Sequence, residues 1–343
     1  MKATTEFFGC DIGDLRIQIC RLQGEAKEEI SIAATPKAVR AYFLRGPATV
    51  FLECGHHSRW ISQTLKSLGH KVIVANARRL ELISRSDSKS DRCDAELLAR
   101  LGRADPELLN PIEHRTDAAQ ADLSLIHSRD TLVACRTRLV NRIRSVVKST
   151  GARLPRCDTA AFPKKTKQLV PEAHQRAVMP LYRALEEINA QIRALEEEIK
   201  AVARKDPEVA LLTQVDGVGE LTALAFMRTI GDRKRLRKSR NAGALMGLRP
   251  RKNQSGEEDP QLHITKAGDR FVRRLLVTSA NYILGPFGKD ADLRRWGLGL
   301  AKRGGKNGRK RAKVAVARKL AVLLHRLWTT QEVYQPLGYR LPA

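Results

Sequence analysis

The sequence predicts an α/β domain followed by a mainly helical remainder, and three observations carry that prediction. Strand patterns alternate with helix patterns over the first 75 residues. From about residue 118, apolar residues recur at heptad spacing. Beyond about residue 206, helical patterns are separated by glycine turns and runs of Lys and Arg. The 343 residues therefore divide into an α/β domain at 1–117, a helical coiled-coil spacer at 118–205 and a helical C-terminal domain at 206–343 with a basic tail.

In order along the chain, Phe7 to Ile12 is a short apolar run. Leu15, Ile17 and Ile19 alternate with polar neighbours, the period of a half-buried strand. Ile30 to Ala34 reads as a third strand. Val50-Phe51-Leu52 and Val72-Ile73-Val74 read as short buried strands, with helical patterns between them. Three strands, helix, strand, helix, strand, helix is the order of a ribonuclease-H-like fold, in which a hairpin meander joins parallel strands.

In the spacer, Leu125, Leu132, Leu139 and Val146 recur every seven residues. After a Pro- and Lys-rich break at 155–171, Leu181, Leu185, Ile188, Ile192, Leu195, Ile199 and Val202 step by four and three. Two long helices are predicted, paired as an antiparallel hairpin or across subunits, with assembly as their task. Further on, "QVDGVGELTALAF" sets Gly217 and Gly219 just before a helical pattern. That fits the hairpin of a helix-hairpin-helix element, whose backbone N–H groups approach a phosphate. A plain glycine turn fits it equally.

Net charge is +26 and the pI about 10.3, which implies a polyanionic partner. Aromatics are only 5%, so duplex or structured nucleic acid is favoured over unpaired strands. Arg233, Lys234, Arg235, Arg237, Lys238 and Arg240 are crowded together. Lys302 to Lys319 carries nine cations and no acid, Lys302, Arg303, Lys306, Arg309, Lys310 and Arg311 among them. Gly304, Gly305 and Gly308 point to a mobile basic loop there, and Val314 to Leu324 to a helix. No run of about 18 apolar residues exists, which argues against a membrane-spanning helix. The N-terminus lacks the apolar core of a signal peptide. The six cysteines form no C-x-x-C pair, and read as buried thiols of a cytoplasmic protein rather than a zinc site or disulfide framework.

The chemistry turns on carboxylates. In "KSDRCDAELLAR", Asp91 and Asp94 are three apart and share one helical face. They form either a capping box, with Asp91 at N-cap and Asp94 at N3, or half of a metal site. Asp11 ends the first apolar run and Glu53 the fourth strand. A charge in either place is costly unless it meets a cation. In the predicted sheet the first and fourth strands are neighbours, so Asp11 and Glu53 converge and the helix bearing Asp91 and Asp94 closes the cluster. Magnesium relieves the repulsion of gathered carboxylates. Two such ions about 4 Å apart suit phosphoryl transfer. The metal reading is preferred, and Asp91 can both cap and ligate. Asp14 reads as a turn residue. His56 and His57 adjoin Glu53, within reach of a phosphate or as half-exposed loop residues.

Ser255-Gly256 lies in a polar loop after Arg249, Arg251 and Lys252. No neighbouring His and Asp complete an acyl-transfer triad. By itself this is a loop serine.

Taken together, Asp11, Glu53, Asp91-x-x-Asp94, the glycine hairpin at 217–219, Ser255-Gly256 and Ile264-Thr265-Lys266-x-Gly268-Asp269-x-x-x-Arg273-Arg274-Leu275-Leu276 resemble the IS-one-ten family of insertion-sequence transposases, also called DEDD transposases or bridge recombinases. The resemblance spans nearly the whole chain. It implies a RuvC-like N-terminal domain whose Asp11, Glu53, Asp91 and Asp94 bind magnesium, and a C-terminal domain whose Ser255 joins covalently to DNA. It implies a structured non-coding (bridge) RNA that pairs with donor and target DNA. It also implies a homo-tetramer, built partly on the spacer, in which acids of one subunit meet the serine of another. The expected nucleic-acid contacts are Gly217, Gly219, Arg249, Arg251, Lys252, Lys266, Arg273, Arg274 and the six cations of the tail from Lys302 to Arg311. The expected location is the cytoplasm, at the nucleoid. Glu257, Glu258 and Asp259 depart from the more glycine-rich loop of relatives and place negative charge where a phosphate would come. The alternative is a RuvC-like magnesium-dependent nuclease or junction resolvase without covalent serine chemistry.

Overall fold

The computed structural model describes residues 6–76, 90–258, 260 and 262–338. The chain forms two compact units, 1–114 and 115–343.

The first unit is built on a five-stranded sheet of order β3-β2-β1-β4-β5. Strands β1 (Phe7–Ile12), β2 (Arg16–Gln23) and β3 (Ala26–Ala33) form an antiparallel meander. β4 (Thr49–Glu53) then lies parallel to β1, and β5 (Lys71–Ala75) parallel to β4. The first and fourth strands are thus neighbours, as the sequence pattern required. Side chains alternate across the sheet, with period two. Phe8, Cys10, Ile17, Ile19, Val50 and Leu52 face helices α1 (Pro36–Phe43) and α2 (Ser58–Ser67), which supply Val39, Phe43, Ile61 and Leu65. Phe7, Cys20, Leu22 and Phe51 face the other way, under α3 (Asp91–Ala104) with its Ala95, Leu98 and Ala99.

The second unit begins with two long helices, α4 (Asp117–Lys148) and, after the short α5 (Phe162–Thr166), α6 (Glu172–Arg204). Arg129 pairs with Glu196, and Arg136 donates to Asn189 Oδ1 at 3.3 Å. Seven residues forward on one helix are seven back on the other, so the pairing is antiparallel and within the chain. The buried stripe of α4 is Leu123, Ile126, Val140, Ile143 and Val147. The predicted heptad of Leu125, Leu132, Leu139 and Val146 is only half-buried. Apolarity misplaces the stripe by one position because Arg129 and Arg136 occupy its middle, each held by a partner on α6. On α6, Val202, Leu195, Ile188 and Leu181 are likewise half-buried.

The remaining helices are α7 (Pro207–Thr213), α8 (Glu220–Ile230), α9 (Asn241–Leu245), α10 (Arg270–Ile283), α11 (Asp292–Arg303) and α12 (Gly308–Thr330). α12 is the central one, burying Ala312, Val316, Ala317, Leu320, Leu324 and Leu327 among others. Ile126, Ile199 and Ala203 from the base of the long hairpin share this core, so the expected spacer and C-terminal domain form one unit. The expected mobile loop at 302–308 is a tight corner. A Cβ on Gly308 would lie 2.4 Å from the Ala301 carbonyl oxygen, so glycine there permits close packing rather than motion. The cysteines also differ from expectation. Cys10 and Cys20 are buried, but Cys54 and Cys93 are exposed. Among the described residues no helix is long and apolar enough to cross a membrane.

Charge is divided unevenly. Residues 115–343 hold 46 of the 63 Lys and Arg but 22 of the 37 acids, a net +24, against +2 for residues 1–114.

Candidate active site

Asp11 is the last residue but one of β1, and Glu53 is the last of β4. Cys10 and Leu52 are register partners in this parallel pair, so the two acids occupy the next position on each strand. By alternation both point to the face that α3 covers. Gln18, the antiparallel partner of Asp11 on β2, shares that face.

Why α3 comes so near is written in small residues. A Cβ on Gly9 would lie 2.1 Å from the Ala95 carbonyl oxygen and 2.5 Å from the Ala99 nitrogen. A Cβ on Gly102 would overlap the Phe51 ring at 2.4 Å. The helix therefore rests on the strand through hydrogens and methyl groups, and its first turn projects toward the strand ends that bear Asp11 and Glu53. These glycines were not singled out from the sequence. A glycine inside an apolar strand was the available signal, since it marks close approach of another backbone.

The capping question has a definite answer. The N-cap of α3 is Ser90, whose Oγ accepts from the Cys93 N–H at 3.3 Å. Asp91 stands at the first helical position and Asp94 one turn later, so neither carboxylate caps the helix and the dual role expected of Asp91 is corrected. Asp91 is exposed and Asp94 buried, at 6% relative exposure. The helix N-terminus favours negative charge, which eases the placement of both.

Asp11 senses the other three acids. Burial pushes the Asp11 carboxyl up, and repulsion from Asp91, Glu53 and Asp94 adds to this, against a hydrogen bond from the Ile12 N–H. The result is a pKa of about 6. Among the described residues no three His, Cys, Asp or Glu side chains are already gathered as a metal cage. The donor set nonetheless fits a hard divalent cation: it is all carboxylate oxygen, and Asp11 is repelled by the other three and holds its proton more tightly than an ordinary carboxyl.

Beside this cluster, the Trp60 indole donates to His57 Nδ1 at 3.0 Å, so His57 Nε2 carries the proton toward Asp14 Oδ1, 3.2 Å away. Asp14 lies in the exposed turn between β1 and β2, as expected of a turn residue.

In the second unit, Ser255 sits at the tip of a β-ribbon. Arg251 N–H bonds the His263 carbonyl at 2.9 Å, Thr265 N–H that of Arg249 at 2.8 Å, and Lys266 N–H that of Gly247 at 3.0 Å. At the tip, Ser255 and Glu258 exchange backbone hydrogen bonds of 3.2 and 3.1 Å. Gly256 takes the first turn position at φ +57° while Glu257 keeps negative φ, the pattern of a type II′ hairpin. Ser255, Glu257 and Glu258 are exposed, as are Arg249, Arg251 and Lys252. Asp259 lies outside the described residues.

The base of the ribbon explains the Ile264–Leu276 motif. A Cβ on Gly268 would lie 2.1 Å from the Leu245 carbonyl oxygen. Lys266 adopts positive φ, 55°, unusual for a side-chain-bearing residue. Asp269 caps α10, accepting from the Val272 N–H at 2.9 Å. Arg273 Nη1 donates to the Met246 carbonyl at 3.0 Å, and Arg274 pairs with Asp130 while covering the Phe271 ring. Both arginines have intramolecular partners.

Gly217 and Gly219 join α7 to α8. Gly217 has φ +81° and packs against Tyr282, while Gly219 opens α8 with nothing near its Cα face. Lys302, Arg303, Lys306, Arg309, Lys310 and Arg311 are all exposed at the α11–α12 corner.

Residues 8–151 match a DEDD-type IS110 transposase profile, and residues 209–289 match the profile described as transposase IS116/IS110/IS902 family. The "Transposase for insertion sequence element IS1111A" of Coxiella burnetii is 29% identical over 96% of this chain and 91% of its own length. The "Probable family 20 transposase" of Pseudomonas aeruginosa is 28% identical, over 94% and 97%. The "Transposase for insertion sequence element IS1328" of Yersinia enterocolitica is 29% identical, over 68% and 70%. The chain belongs to the IS110 family of insertion-sequence transposases, and is a DNA-cleaving and recombining enzyme.

Proposed function

We propose that this transposase cuts and rejoins DNA with a magnesium-dependent carboxylate site and a serine nucleophile. Asp11, Glu53, Asp91 and Asp94 hold the metal, on a domain of ribonuclease-H and RuvC type. The observation that carries the reading is the placement of Asp11 and Glu53 at adjacent strand ends beneath the first turn of α3. Bound magnesium, two ions by the chemistry of phosphoryl transfer, would neutralise charge on the scissile phosphate.

Ser255 supplies the nucleophile. Its Oγ bonds to phosphorus as one phosphodiester P–O bond breaks; the hydroxyl loses its proton and the departing deoxyribose oxygen gains one. The phosphoester energy is kept, so strands can be exchanged and resealed without an outside energy source. An exposed serine in a tight turn, preceded by Arg249, Arg251 and Lys252, suits that task. The acids at Glu257 and Glu258 bias the loop against a phosphate that arrives without metal.

A structured non-coding RNA guides the choice of donor and target, and the surplus of +24 in residues 115–343 is suited to holding RNA and DNA together. The enzyme acts as a homo-oligomer, a tetramer, in which acids and serine come from different subunits. The half-buried apolar edge of the α4–α6 hairpin supports assembly through that element.

The test is covalent trapping. Wild type and Lys252→Ala should yield a protein–DNA adduct and Ser255→Ala none, while Glu53→Gln should stop strand cleavage yet leave binding intact. Adduct-free cleavage by Ser255→Ala would instead favour the nuclease reading. Sequencing of co-purified RNA tests the guide.

A further inference from the structure

The basic segment Arg233–Arg240 has no part in the site above, yet it is built with care. Asp232 Oδ1 accepts from the Lys234 N–H at 2.8 Å and starts its first turn. Two of its six cations are turned inward. Arg233 pairs with Glu208 at 2.9 Å, and Arg235 donates to the Ile230 carbonyl at 3.1 Å. The other four, Lys234, Arg237, Lys238 and Arg240, are exposed and have no ion pair among the described residues.

The segment is fastened along α12. His325 Nε2 donates to the Arg233 carbonyl at 3.0 Å, and His325 Nδ1 accepts from the Ser239 hydroxyl at 2.9 Å. Burial holds this imidazole below its ordinary pKa, consistent with the neutral form that both bonds require. One heptad earlier on the same face, the Arg318 stem packs on α9, where a Cβ on Gly243 would meet Arg318 Cγ at 2.6 Å. Arg318 is also exposed and unpaired among the described residues, and Arg311 stands one heptad before it. From Arg311 to His325 the helix rises about 21 Å.

Like charges held close and unneutralised are a standing cost, and their backbone is fixed here before any ligand arrives. Such a row matches the closely spaced charges of a nucleic-acid backbone. We propose that Lys234, Arg237, Lys238, Arg240 and Arg318 form a phosphodiester-binding track separate from the serine ribbon, able to hold a length of duplex while the ribbon engages the cleavage point. This rests on the family's action on DNA and is independent of Ser255 chemistry.

The experiment uses the full chain carrying Lys234→Gln, Arg237→Gln, Lys238→Gln and Arg240→Gln together. Affinity for a duplex DNA and for a hairpin RNA is measured across salt concentrations. The slope of log K against log salt should flatten by about three to four for whichever polymer occupies the track, about 0.9 for each phosphate that the variant leaves unneutralised. Adduct formation at saturating DNA should persist, which separates failure here from failure of the serine mechanism. In wild type, bound polymer should protect Lys234 and Lys238 from amine acetylation, a readout that decides the matter should the variant not fold. Loss confined to DNA or to RNA identifies the source of the phosphate. An unchanged slope with both polymers, or unprotected lysines if that readout is needed, overturns the track.

Discussion

A hydrogen atom is all that Gly9 can present to α3, and the position of two carboxylates depends on it. Gly9→Val should lower stability by about 1–3 kcal/mol or more, because the helix backbone must move. Cleavage should fall further than DNA binding, which thermal melting and a cleavage assay on the same preparation can show. Asp11 adds a pH signature. Its folded pKa of about 6 lies above the ordinary value of about 3.9, so the folded state holds the proton more tightly than the unfolded chain. Its contribution to stability is full below about pH 4 and is lost as pH rises through about 6. Metal-free protein should show that decline in its melting temperature, Asp11→Asn should flatten it, and added magnesium should restore stability above pH 6. A decline that Asp11→Asn leaves untouched would assign it to other groups.

Among the elements, the ribbon that carries Ser255 depends on α10, which Asp269 caps. Asp269→Ala should cost about 1 kcal/mol in chemical denaturation, the usual loss for an N-cap. Legibility varied between elements for physical reasons. The sheet could be read because β2 alternates apolar and polar residues while β1, β4 and β5 are short apolar runs, and because acids stand at or next to the ends of β1 and β4. The antiparallel pairing of α4 with α6 was one of two arrangements the heptads allowed, and the exact buried stripe was not legible, since Arg129 and Arg136 sit inside it as partners rather than as apolar residues. The helix cap was misassigned because Ser90 and Asp91 are both good caps, and sequence alone does not rank them. The ribbon was hidden for a different reason. Its strands are single bridges set by Gly247 and Gly268, and close backbone approach leaves no periodicity to find.

Over the whole molecule, the cations lie almost entirely beyond residue 114 once each is set against the acids around it. Neutralising Lys302, Arg303, Lys306, Arg309, Lys310 and Arg311 should weaken nucleic-acid binding at moderate salt and flatten its salt dependence, by up to about five in slope if all six meet phosphates. Filter binding across a salt series checks this, and an unaltered slope would remove that corner from the interface.

That partition separates capture from the carboxylates. Residues 1–114, which bear the four acids, are close to neutral and so exert little long-range pull on a polyanion. Drawing nucleic acid in from a distance is left to residues 115–343, and salt should govern how fast the whole protein meets DNA through that part of the chain alone.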